Sequence, residues 1–146
     1  TYSSHPVAAA VALENLRILQ EEHIVDNVRT EAAPYLANKW RGLADHPLVG
    51  EASVIGMMGS LALTPHKESR ARFAADPGTI GYMCREHCFA NNLVMRHVYD
   101  RMIISPPLVI SKGEIDQLIS RATKALDATY AQAKDQGMLK VADAHP

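Results

Sequence analysis

A chain of 146 residues with a formal net charge of -1 is long enough for one domain with a real core, or for one small domain plus a connecting element. Lys and Arg nearly match Asp and Glu, so no electrostatic footprint for nucleic acid or anionic lipid is present. No run approaches the ~20 apolar residues of a membrane span, and the first residues have neither the basic region nor the cleavage site of a signal peptide.

The first predicted element is a helix from Pro6 to about Glu22. Ser4 or His5 can cap it, and Pro6 suits the first helical position, where a missing N–H costs nothing. From Val7 to Leu13 every residue is apolar, so the first two turns have no wet face and call for cover on all sides. Nothing nearby in the sequence supplies that cover. The expectation is a piece of a larger protein, with residues 1–22 a connecting element and 23–146 a small domain.

A second helical stretch is predicted from about Val25 to Arg41. Val28, Ala32, Leu36 and Trp40 keep one face apolar, and Pro34 inside it predicts a kink or irregular turn. The period then changes. Val49–Gly56 and Met58–Leu63 read as two strands turned around near Gly56-Met57. Thr64 to Gly78 reads as a surface excursion with room for a short helix, and Thr79 to about Ala90 as a helix ended by Asn91-Asn92. Leu93–Val98 and Arg101–Ile104 read as short strands joined tightly around Tyr99-Asp100, and Pro106-Pro107 ends their pairing. Ser111 and Glu114 form a capping box. The helix it opens carries Ile115, Leu118, Ile119, Ala122, Leu126, Thr129 and Ala133 at helical spacing, with Gly137 at its end and a loose tail beyond Leu139. This order predicts an α+β fold, a small and mostly antiparallel sheet with helices covering one face, preceded by a long helix.

Cys84 and Cys88 stand four apart in a predicted helix, a poor placement for a disulfide. With His87 they suggest a metal site, but no second pair of ligands exists to complete one, so the expected metal set is none. A reduced, cytoplasmic setting fits two free thiols on a buried helix face.

Two motifs carry a family resemblance. Thr1-Tyr2-Ser3-Ser4-His5-Pro6 resembles the TYSGHP-like segment of class III (omega) aminotransferases, enzymes of fold type I that use pyridoxal 5′-phosphate, with Ser4 where many members carry Gly. Asn91-Asn92-Leu93-Val94-Met95-Arg96, followed by Asp100–Leu108, resembles a second block of the same family, in the right order. The resemblance covers essentially the whole chain. It implies the C-terminal portion of a homodimeric enzyme of the amine/polyamine:pyruvate branch, with the first helix running in from a large upstream domain.

The resemblance also implies roles. Arg96 would bind the carboxylate of the keto acid or amino acid and swing aside for an amine without one. A guanidinium fork matches a carboxylate bidentately. A charge within an apolar run is costly unless paired or placed at a site, and the structural alternative pairs Arg96 with Asp100, Glu51 or Glu114. Arg101, at a hairpin start, reads as a solvated or ion-paired charge. Thr1 would reach the cofactor phosphate of the second subunit; an N-terminal-nucleophile reading is disfavoured because a capped helix, not a strand, follows it. His23, His46, His66 and His145 read as exposed or turn-associated, His97 should face the other side of its strand from Arg96, and none sits in a recognisable triad.

Transamination needs a lysine that forms a Schiff base with the cofactor. In the family it precedes the TYSGHP-like loop, and Lys39, Lys67, Lys112, Lys124, Lys134 and Lys140 do not match it. No residue of this chain is therefore assigned a catalytic role, and the chain alone is expected to be inactive. The favoured function is amino transfer from a diamine or polyamine, an aryl amine or a β-amino acid to pyruvate or a similar keto acid. The competing readings are another class III pyridoxal-phosphate chemistry and a non-catalytic α+β binding or oligomerisation module.

Overall fold

In a computed structural model that describes residues 5–142, the chain builds a four-stranded antiparallel sheet with helices on one face, the α+β arrangement expected. Helix α1 spans Pro6–Glu21, with the His5 ring accepting from the Ala8 N–H at 3.4 Å. None of its residues is buried. Val7, Val11, Leu13 and Leu16 are all more than half exposed.

The second helical stretch is not continuous. It divides into α2 (Ile24–Asn27), a π-helical turn (Val28–Ala32) and α3 (Ala33–Gly42). The wide turn ends just before Pro34, which cannot donate an i→i−4 bond, so the irregularity sits where proline requires one. The apolar face nevertheless holds through the change of pitch, with Ala32, Leu36 and Trp40 buried.

Strands β1 (Val49–Ile55) and β2 (Met58–Leu63) form the predicted hairpin. Strands β3 (Arg96–Val98) and β4 (Arg101–Ile104) form the second, and the sheet order is β1-β2-β4-β3. Leu61, Leu63, Met102 and Ile104 point into the core against α3, α4 (Thr79–Ala90) and α5 (Lys112–Asp135). Period-two alternation sends Ser60, Arg101 and Arg96 to the opposite face. That face carries no helix among the described residues.

Three local expectations need correction. The predicted strand at Leu93–Val98 is paired only from Arg96 onward. Its partner β4 ends at Ile104, and Pro106 has no N–H with which to extend the ladder. Thr64–Gly78 contains no helix. The described part of the tail beyond Leu139, residues 140–142, is held, not loose: Val141 bridges Phe73, the Ala74 N–H donates to the Lys140 carbonyl at 2.9 Å, and the Ala142 N–H donates to the Arg72 carbonyl at 2.9 Å. The excursion and the tail thus pair with each other and bury Phe73.

Helix α5 has its capping box, with the Ser111 hydroxyl and Glu114 side chain each satisfying the other's backbone N–H. It ends in a Schellman arrangement in which the Met138 N–H donates to Ala133 and the Gly137 N–H to Lys134. Cys84 and Cys88 are free and buried. The hydrogen bond with Cys84, then burial, pushes the Cys88 thiol well above the ordinary thiol range. No metal-binding cluster exists among the described residues.

His46 lies in the turn before β1, as expected, and is half-buried there. Its Nδ1 accepts from the Leu48 N–H at 3.1 Å and its Nε2 faces the Asp127 carboxylate of α5 at 3.3 Å, with the Tyr130 ring edge-on. Accepting at Nδ1 places the neutral ring's proton on Nε2. Burial lowers the His46 pKa, opposed by Asp127 and assisted by Lys67. With the folded pKa depressed, the unfolded chain takes the proton first as pH falls. The stability His46 contributes is present above the ordinary imidazole pKa of ~6.5 and is lost as pH falls from there through the lower folded value. His46→Gln should flatten the decline in stability over that window, read from denaturation midpoints at a series of pH values. An unchanged decline would discard this origin for it.

Candidate functional site

The open face of the sheet gathers the charged groups that the helix-covered face excludes. Glu51 and Ser53 come from β1, Ser60 from β2, Arg101 from β4 and Arg96 from β3. Arg70 reaches Glu51 at 3.1 Å from the loop after β2. The Ser53 hydroxyl, which donates to Glu51, holds that carboxyl below the usual carboxylate range, and Arg101 and Arg70 add to the effect. Arg101 donates to the Ser60 hydroxyl at 3.0 Å and is exposed, as its hairpin position suggests.

Arg96 sits on β3, at the edge of the sheet, opposite Ile103. It is exposed. The reasoning that a charge in this apolar run bears a burial cost does not hold: residues 93–98 alternate, with Leu93 and Met95 buried and Val94 and Arg96 outward. The structural alternative fails as well. Among the described residues Arg96 has no ion-pair partner, and each carboxylate proposed for it is otherwise engaged. Glu51 meets Ser53 and Arg70, Glu114 completes its capping box, and Asp100 accepts from the N–H groups of Gly78 and Gly81. An unpaired guanidinium on an open face that also carries Arg101 and Arg70 is suited to binding a carboxylate.

The hairpin that carries Arg96 is docked on α4. The His97 ring lies edge-on to Tyr82 with centroids 5.9 Å apart, and the Tyr99-Asp100 turn closes over the start of the helix. Sequence reasoning placed Asp100 in the strand-joining turn and offered it as a partner for Arg96, and missed this contact. The glycines at 78 and 81 were the available signal, since both leave room for a close backbone.

Thr1, assigned to the cofactor phosphate by resemblance, lies outside the described residues. No described lysine stands on the open face beside Arg96. Lys39 and Lys112 flank Tyr35 and pair with Asp116 and Glu31, Lys67 donates to the Ala44 carbonyl, and Lys124, Lys134 and Lys140 are exposed. A Schiff-base lysine works in a desolvated pocket, and none of these occupies one. A concavity of about 390 Å³ lies between α1 and α2, lined by Leu16, Leu19, Gln20, His23, Val25 and Asp26, and Arg96 is not part of it. No described helix is long and apolar enough to cross a membrane.

No family model matches the chain. Over 131 residues it is 60% identical to a putrescine–pyruvate aminotransferase of Pseudomonas aeruginosa, covering 90% of this chain and 28% of that protein. It is 34% identical to the mitochondrial gamma-aminobutyrate transaminase 1 of Oryza sativa subsp. indica, over 88% of this chain and 25% of the relative. Among solved structures, the omega transaminase from Pseudomonas jessenii in complex with PMP matches with a TM-score of 0.82 at 32% identity, over 89% of this chain and 28% of that one. The chain thus spans little more than a quarter of the relatives it matches.

Proposed function

We propose that this chain, which belongs to the class III (omega) transaminases, forms the carboxylate-recognising small domain of a pyridoxal-phosphate enzyme that moves an amino group from an amine to pyruvate or a similar keto acid. The observation that carries the reading is Arg96, exposed on the open face of the sheet with no ion-pair partner among the described residues, within a segment 60% identical to a putrescine–pyruvate aminotransferase. In this reading residues 1–22 connect a large domain to a small domain at 23–146, Thr1 contacts the cofactor phosphate of a second subunit, and the homodimer works in the cytoplasm.

Pyridoxal phosphate, when bound, supplies the electron sink that lets an amino group leave one carbon and join another. The described residues do not fit it, for want of a lysine in a desolvated position, so its covalent attachment belongs to other parts of the complete protein and this chain's own contact with it is the phosphate contact of Thr1. What this chain adds is recognition. The Arg96 fork takes the two carboxylate oxygens of the keto acid and so orients its carbonyl. Because no carboxylate among the described residues holds Arg96 in one pose, its side chain is free to turn aside when an amine with no carboxylate arrives.

The test is alanine formation from putrescine and pyruvate by the complete protein with added pyridoxal phosphate. Alanine is the expected product. Release of carbon dioxide from an amino acid, with no alanine from any amine, would favour another class III chemistry instead. The isolated 146-residue chain should show no cofactor absorption band that borohydride fixes to the protein; a fixed band on one of its lysines would refute the division of labour drawn above.

A further inference from the structure

Strand β3 has three residues and a hydrogen-bonded neighbour on one side only, since it ends the sheet order β1-β2-β4-β3. A strand this short at an edge is weakly held by its ladder alone. Yet Arg96 is its first residue, and a guanidinium that must meet a carboxylate in bidentate geometry needs a fixed base for its long side chain. Something other than the ladder has to hold that base.

The turn that follows β3 does so. The Asp100 carbonyl accepts from the Leu63 N–H at 2.8 Å, tying the turn to β2. Its carboxylate spreads across the start of α4, with Oδ1 accepting from the Gly81 N–H at 2.9 Å and Oδ2 from the Gly78 N–H at 3.1 Å. These are free N–H groups at a helix start, where a carboxylate is favoured by both hydrogen bonding and the helix dipole. The docking is close: a Cβ on Gly81 would stand 2.0 Å from the Tyr99 carbonyl oxygen. Tyr99 itself is held at φ 48° to make the turn. One residue therefore joins the hairpin to β2 through its carbonyl and to the helix through its carboxylate.

We propose that Asp100 is the positioning residue for Arg96: its clamp on α4 fixes the backbone of the β3–β4 hairpin so that the Arg96 side chain alone moves between its carboxylate-bound and displaced poses. This rests on the reading of Arg96 as the carboxylate-binding residue. Asp100 itself touches no substrate in this scheme. Asparagine at this position keeps one acceptor oxygen but replaces the other with an NH₂ that cannot accept, so one helix N–H loses its partner and the hairpin is freed to shift.

The test is a double-mutant cycle in the complete protein, with wild type, Arg96→Ala, Asp100→Asn and the double variant. Each half of the reaction is followed in single turnovers, with pyruvate concentration varied in the second, and thermal midpoints are recorded. Asp100→Asn should raise the pyruvate concentration needed for half-maximal rate by about three- to tenfold, of the order of one weakened charge-assisted contact, and leave the amine half near normal. In the Arg96→Ala background it should cost nothing further for pyruvate, while lowering the thermal midpoint by the same amount in both backgrounds. The same pyruvate penalty with and without Arg96, or equal damage to both halves, overturns the proposal. If Arg96→Ala alone spares pyruvate, the reading of Arg96 falls first, and that outcome is distinct from the others. Should Asp100→Asn fail to fold, Asp100→Ser, which keeps one capping oxygen, enters the same cycle with the same criteria.

Discussion

Replacing Arg96 with alanine in the complete protein should separate the two halves of the reaction. The first half, from a carboxylate-free amine, should proceed near its normal rate, because such a substrate offers the guanidinium nothing to bind. The second half, with pyruvate, should slow by ten- to a hundredfold if the bidentate contact supplies ~1.5–3 kcal/mol. The KM for pyruvate should rise, and inhibition by carboxylate analogues should weaken. Arg96→Lys should rescue only in part, since an ammonium is a point charge without the planar fork. Rapid-mixing measurements of each half, following the cofactor absorbance, decide the matter. Equal loss in both halves would mark Arg96 as structural, although its exposure and its lack of an ion pair among the described residues argue against that. No loss in either half would remove it from the site.

The largest effect on stability is expected at Trp40. Its side chain is fully buried at the junction of α3 and β2, and its Nε1–H donates to the Ser60 carbonyl at 3.3 Å. The indole lies directly on Gly59, where a Cβ would come within 2.8 Å of ring carbon Cε2. Helix and strand are thus in contact through an aromatic ring that fits only because the strand has no side chain there. Trp40→Ala should cost ~3–5 kcal/mol, the range for deleting a large buried aromatic side chain, against a typical domain stability of ~5–15 kcal/mol. Amides of β2 should then exchange with deuterium roughly two to four orders of magnitude faster, at ~1.4 kcal/mol per tenfold. Trp40→Phe keeps a ring in the slot and gives up the hydrogen bond, so it should cost less, ~1–2 kcal/mol. A change under ~1 kcal/mol for Trp40→Ala would mean that the site collapses around the void, and would contradict this account of the α3–sheet packing.

The elements readable from the chain were those whose cause is local. Pro6 with its cap at His5, the capping box at Ser111 and Glu114, and the four-residue recurrence that ends at Trp40 each act within one or two helical turns, so their residues suffice to specify them. Helix α4 and the β1–β2 hairpin follow for the same reason, and together they imply an α+β fold. The two motifs that resemble those of the class III transaminases are likewise properties of the sequence alone.

What tertiary structure decided is who meets whom across long separations. The tail at 140–142 looks loose by composition, yet its backbone groups find unpaired partners at 72–74 that only the fold brings near. His46 reads as a turn residue until α5 places Asp127 beside it. Asp100, Glu51 and Glu114 were equal candidates to neutralise Arg96. The fold assigns each to other donors, because a helix start, a serine hydroxyl with an arginine, and a capping serine lie closer. That assignment of carboxylates leaves Arg96 without an ion-pair partner among the described residues, because Asp100, the nearest of them in sequence, is drawn to donors that only the fold brings close, and Glu51 and Glu114 are held by theirs.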